Sequence, residues 1–254
     1  MYSGKYFRVE LRLLILSIAF AAATASLSAG DIPSAYADPK NLTEVISKYQ
    51  DAVHTQQEAL RGAQMEVDID ASLPKLEKKG KLKVLRVISK LGKITFRQIG
   101  KPIGDGTVYK EVIQRYLQTE KEGRENGTMA ISNANYNFKI NAIINQDSQT
   151  TYIFDLKPKR KADGLFKGQL WLDGATGMPL KEIGELVKKP SVMLKSVKFE
   201  RDYELHDGLS IVTRVESTVD VRLVGKAQLT ASFSDPTWPI LDQDSDDPVG
   251  NLVP

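Results

Sequence analysis

Between residues 152 and 233 apolar and polar residues alternate almost one for one, and this period of two restricts the chain more than any other feature. Tyr152, Phe154 and Leu156 share one parity, as do Phe166, Leu170 and Leu172. So do Val197, Phe199, Tyr203 and Leu205, then Ile211, Val215, Val219 and Val221, and finally Leu229, Ala231 and Phe233. Their alternates are mostly charged or polar, among them Asp155, Lys167, Gln169, Asp173, Lys198, Glu200, Asp202, Arg214 and Glu216. Successive side chains of a strand point to opposite faces, so the pattern demands an antiparallel sheet with one dry face and one wet face.

The dry face has to be covered, and two stretches have the helical period needed to cover it. From Leu42 to Leu60, Val45, Ile46, Tyr49 and Val53 fall on one stripe, with Asn41 as N-cap and Gly62 as stop. From about Thr107 to Glu122 a second stripe carries Val108, Val112 and Tyr116, opposite Lys110, Glu111, Gln114 and Arg115. Between these helices Met65, Val67, Ile69 and Ala71 alternate with Glu66, Asp68 and Asp70, which marks a strand. Leu82 to Ile99 reads as further hairpin strands, with breaks at Lys79-Gly80 and Leu91-Gly92-Lys93, and Gly100 to Gly106 reads as a loop. The expected fold class is α+β, mainly antiparallel β: a curved half-open β-barrel covered by two or more amphipathic helices. Periodicity leaves open whether helices and sheet enclose a packed core or a cavity.

At the N-terminus Lys5, Arg8 and Arg12 precede an apolar run from Leu13 to Ala25, shorter than the about 20 residues a spanning helix needs. The expectation is a signal peptide over 1–37, cut after Ala35-Tyr36-Ala37; Ala23-Thr24-Ala25 is the competing site, and an uncleaved anchor the alternative. Residues 38–234 are expected to form a single domain, and 235–254, with four prolines and Asp242, Asp244, Asp246 and Asp247, a flexible acidic tail.

Several chemistries are excluded by composition. The chain has no cysteine, hence no disulfide, thiol nucleophile, thiolate metal site or lipid-modified cysteine. Its two histidines, His54 and His206, belong to no catalytic or metal-binding motif, and Asp68 and Asp70 lie on the wet parity. The glycines of 100–106 lack the Gly-Lys-Ser/Thr of a phosphate loop, and the aspartates of the tail lack the Gly and Glu of a calcium loop. A net charge of +3 argues against nucleic-acid binding, and the basic clusters at Lys75 to Lys83 and Lys157 to Lys161 read as solvated loops. The expectation is a monomeric binding protein, not an enzyme, with no cofactor and no metal.

Along Tyr152-Ile153-Phe154-Asp155-Leu156-Lys157-Pro158 and Gly164-Leu165-Phe166-Lys167-Gly168-Gln169-Leu170-Trp171-Leu172-Asp173, the sequence resembles outer-membrane lipoprotein-sorting proteins of the LolA type. Met178-Pro179-Leu180-Lys181 to Gly184 and Lys195-Ser196-Val197-Lys198-Phe199 extend the likeness, which covers 38–235 in order of elements. The resemblance implies a periplasmic carrier whose half-barrel, lidded by helices, takes acyl chains of lipoproteins or lipids from an inner-membrane transporter toward an outer-membrane acceptor. The long C-terminal half and acidic tail depart from the compact carriers, so the cargo stays open. On this reading Phe154, Leu156, Phe166, Leu170, Leu172, Val197, Phe199, Tyr203 and Phe233 line the concavity. Val45, Ile46, Tyr49, Val53, Val108, Val112 and Tyr116 form the lid, and Arg201, a cation on the dry parity that needs a partner, either holds it closed or sits where the strand emerges into solvent. The rival readings are an envelope sensor resembling RseB-type proteins and a structural envelope protein without ligand.

Overall fold

The computed structural model describes residues 39–125, 130–189 and 191–239, all within one compact unit. The expected signal peptide, and the tail from residue 240 on, lie outside the described residues. Helix α1 spans Pro39–Ala59. Proline fits the first helical turn, where its missing N–H costs nothing, so Asn41 lies inside the helix instead of capping it. Three strands follow, β1 (Gln64–Leu73), β2 (Lys78–Ile88) and β3 (Ile94–Gly104).

Helix α2 is built from Gly106–Val108, a widened π turn at Tyr109–Ile113, and Gln114–Glu125. Asp105 caps it, its carboxylate accepting from the amides of Thr107 (2.8 Å) and Val108 (3.2 Å). Seven strands complete the chain: β4 (Tyr136–Gln146), β5 (Gln149–Pro158), β6 (Phe166–Asp173), β7 (Pro179–Leu186), β8 (Leu194–His206), β9 (Leu209–Val221) and β10 (Gly225–Phe233).

Two expectations about breaks are corrected. Gly80 lies inside β2, and the reversal before it is a short 3-10 turn at Pro74–Leu76. A β-carbon at Gly80 would sit 3.1 Å from a Val108 methyl, so glycine is there to let α2 down onto the sheet. The supposed loop from Gly100 is mostly strand, since β3 continues to Gly104.

All ten strands join one antiparallel sheet, in the order β3-β2-β1-β10-β9-β8-β7-β6-β5-β4. Strand β10 returns to β1, pairing Ile69 with Ala231 and Ala71 with Leu229, and so welds the N-terminal strands to the C-terminal meander. The sheet is curved and unclosed, with β3 and β4 as its edges. Irregularities at Ile140/Ala142, Trp171/Leu172 and Asp202/Tyr203 are of the kind that bends strands. Past β10, Thr237 exchanges backbone hydrogen bonds with Gln64, so the first residues assigned to the tail extend the sheet.

The dry face is packed in two separate cores. One lies over β1, β2, β3, β9 and β10 and takes in Val108, Ile113 and Leu117 of α2. The other lies over β4, β5 and β6 and takes in Val45, Ile46 and Tyr49 of α1. The wet parity behaves as expected at Asp68 and Asp70, which pair with Lys83 and Lys81. Asp173 is the exception: it is buried, because it ties the β6–β7 turn through Thr176 N (2.8 Å), Thr176 Oγ1 (2.7 Å) and Gln149 Nε2 (3.1 Å).

Candidate functional site

One row of side chains crosses the concave face from core to core: Phe154, Leu170, Glu182, Arg201, Val215, Ala231, Ile69 and Leu82. Its ends are apolar and its middle is an ion pair. The middle coincides with β8, the sixth strand of ten, which carries no fully buried residue although strands flank it on both sides. Between the two cores the strip on β8 is formed by Val197, Phe199, Arg201 and Tyr203, all half-buried, continued on β9 by Val219. Both helices reach it: Tyr49 of α1 feels the charges of Glu182 and Arg201, Gln56 of α1 accepts from the Ser210 amide of β9 at 2.9 Å, and Glu120 of α2 pairs with Arg201.

Local sequence shapes this strip. Phe199 pairs with Gly184 on one side and Ser217 on the other, two small residues that leave its ring room. A β-carbon at Gly184 would stand 2.4 Å from Phe166 and 2.7 Å from Phe199, whose rings meet edge to face at 5.0 Å. Glycine is therefore required for the two aromatics to close over β7.

The waist of the strip is polar. Glu182, whose side chain is only 8% exposed, accepts from Arg201 Nη1 at 3.0 Å and from the Tyr203 hydroxyl at 2.8 Å. Arg201 Nη2 donates to Glu120 on α2 at 3.2 Å, and the guanidinium lies 5.9 Å from the Phe199 ring centre. Burial works against the Arg201 charge, but Tyr203, Glu182 and Glu120 outweigh it and hold its pKa above the ordinary value, so it is a permanent cation. Burial first, and the negative field of Glu182 second, push up the phenols of Tyr203 and Tyr49; burial and Glu120 do the same for Tyr116. These tyrosines stay neutral donors. The buried Tyr116 hydroxyl has no hydrogen-bond partner among the described residues.

The expected lining residues share the concave face but divide along it. Phe154, Leu156, Phe166, Leu170 and Leu172 belong to the core beneath α1, with Phe199 packed against it, and Phe233 packs against the other core. Val197, Phe199 and Tyr203 lie along the β8 strip. The lid stripes also divide: Val45, Ile46, Tyr49 and Val53 face the α1 core, whereas Val108, Val112 and Tyr116 face the α2 core. Arg201 does bridge sheet and helix, through Glu120. Glu182 and Glu120 were missed in the sequence; a cation on the dry parity of β8 was itself the signal that an acid must share that face. A separate hollow of about 530 Å³ opens on the charged face, between Lys167, Gln169, Ile183, Lys198 and Glu200.

No family profile and no curated protein sequence matches the chain. Among solved structures it is similar to a LolA superfamily protein from Nitrosomonas europaea, at 12% identity over 76% of this chain and 94% of that one, with a TM-score of 0.37. It is also similar to a DUF1329 family protein from Desulfovibrio piger (16% identity, 79% and 95% covered, TM-score 0.41). A third likeness is to an outer-membrane lipoprotein-sorting protein domain from Vibrio parahaemolyticus (12%, 80% and 95%, TM-score 0.37). Residues 152–199 carried the resemblance to LolA-type proteins read from the sequence. Among the described residues no helix is long and apolar enough to cross a membrane, and no three acidic or histidine side chains cluster as metal ligands.

Proposed function

We propose that this chain is a periplasmic carrier, not an enzyme, that holds acyl chains of lipids or lipoproteins in a groove opening between the helices along β8 and moves them toward the outer membrane. The observation that carries the reading is the central strand with apolar side chains on the helix side and no fully buried residue. A packed structural domain gains by covering such a strand, whereas a carrier needs it accessible. Burying about ten methylenes contributes roughly 8 kcal/mol, enough to outweigh the lower estimates of the association cost. The unpartnered Tyr116 hydroxyl beside the waist suits an ester or amide carbonyl, which gives the orphan donor an acceptor. Two carboxylates against one guanidinium disfavour an anionic headgroup at that level, so such a headgroup belongs at the end of the groove. Longer chains would reach Phe154 and Leu170 by lifting α1.

The test is titration of the purified protein with a fluorescent fatty-acyl probe, alongside native mass spectrometry for co-purified lipid. Phe199→Asp should abolish probe binding, and Glu200→Lys, on the opposite face, should leave it intact. Equal binding by both variants, each folded by circular dichroism, refutes the reading. Capture of a peptide segment without any lipid would favour a sensor instead.

A further inference from the structure

The strand register brings the β1–β2, β5–β6, β7–β8 and β9–β10 connections to the same end of the sheet. Neighbouring ones are tied together. Arg222 donates from its amide to the Met193 carbonyl and from Nε to the Val192 carbonyl, both at 3.0 Å. Lys188 pairs with Asp163 at 2.7 Å, and the Lys75 side chain lies against Gly225. Aliphatic side chains stand out from these connections: Val192 is 87% and Leu223 74% exposed, with Met193 and Leu76 also exposed. Single exposed aliphatics are ordinary, and Leu91 in the β2–β3 turn is one, but these four share one end of the fold.

Charge at this end is mainly basic, with Glu77 and Asp163 the acids of these connections. The strand end and loop after Leu156 carry Lys157, Lys159, Arg160 and Lys161, and residues 187–195 add Lys188, Lys189 and Lys195 without an acid. At the opposite end the β4–β5 and β8–β9 turns carry Asp147, Glu204 and Asp207, and only the β2–β3 turn, with Lys90 and Lys93, is basic. Of the two basic clusters read in the sequence, Lys157 to Lys161 and the first residues of Lys75 to Lys83 both fall at this end of the sheet.

We propose that this end of the sheet docks on the surface of an anionic bilayer, with Leu76, Val192, Met193 and Leu223 entering the headgroup layer. Apolar tips ringed by lysines match an interface that is acidic outside and apolar a few ångströms deeper. Nucleic acid would satisfy the lysines and leave the aliphatic tips in water. The proposal does not depend on what the β8 groove holds.

Flotation of the purified protein with vesicles of phosphatidylcholine, alone or mixed with phosphatidylglycerol, tests it. Binding is expected only to the mixed vesicles, and to weaken as salt is raised. Lys161→Glu with Lys189→Glu, and separately Val192→Asp with Leu223→Asp, should each lower it at least tenfold, while Lys90→Glu with Lys93→Glu changes it little. All three double variants replace exposed side chains, and thermal unfolding checks that they fold. Equal binding to both vesicle types, or full binding by the Lys161/Lys189 variant, overturns the proposal. Probe uptake without vesicle binding overturns docking and leaves the carrier reading standing; vesicle binding without probe uptake does the reverse.

Discussion

Replacing Arg201 by methionine keeps the length and apolar stem of the side chain but removes the only cation hydrogen-bonded to Glu182 among the described residues. Glu182 then keeps the Tyr203 hydroxyl alone, and Glu120 loses its bridge to the sheet. Removing one partner of a fully buried pair costs about 3–5 kcal/mol. The Arg201 side chain is still 27% exposed, so water screens part of the interaction, and a cost of about 2–3 kcal/mol is expected. For a chain of this size that lowers the thermal midpoint by roughly 4–12 °C. The diagnostic protein is the double variant. Glu182→Gln in the Arg201→Met background removes the orphaned charge, so the double variant should be more stable than Arg201→Met by at least about 1 kcal/mol. Urea unfolding of wild type, both single variants and the double variant closes the cycle. Losses that simply add, within about 0.5 kcal/mol, would refute the claim that this pair spans the groove as one unit.

Two further outcomes follow from packing and from the β6–β7 turn. Gly184→Ala should cost about 1–3 kcal/mol, because its methyl meets Phe166 and Phe199 inside van der Waals contact; an unchanged urea midpoint would show that the two rings give way freely. Burial works to raise the Asp173 carboxyl pKa, but hydrogen bonds from Thr176 and Gln149 outweigh it and hold the pKa below the ordinary aspartate value. The stabilisation is therefore present above the unfolded-state pKa and disappears as pH falls through the folded one. Asp173→Asn should be less stable than wild type at pH 7, with the gap closing below about pH 4, as unfolding curves across pH would show.

Much of this architecture was legible in residue order. The parity of Phe154, Leu170, Val215 and Ala231 put each on the dry face, because side-chain direction in a strand is fixed by backbone geometry one residue at a time. The stripes of Val45 and Tyr49, and of Val108 and Val112, were legible for the same local reason. Strand order was not, since the pairing of β10 with β1 joins residues from opposite ends of the chain. Nor was the polar waist: Arg201 finds Glu182 19 residues away and Glu120 81 residues away. In β7, where Leu180, Glu182 and Gly184 share a parity, the alternation does not mark an apolar face at all. The largest difference concerns which dry-face residues stay accessible. Periodicity assigns Phe154 and Phe199 the same surroundings, yet one is sealed within the core beneath α1 and the other lies half-buried at its edge. Alternation is a property of each strand alone, whereas coverage depends on where two helices land across ten strands, and only contacts between residues far apart in the chain decide that.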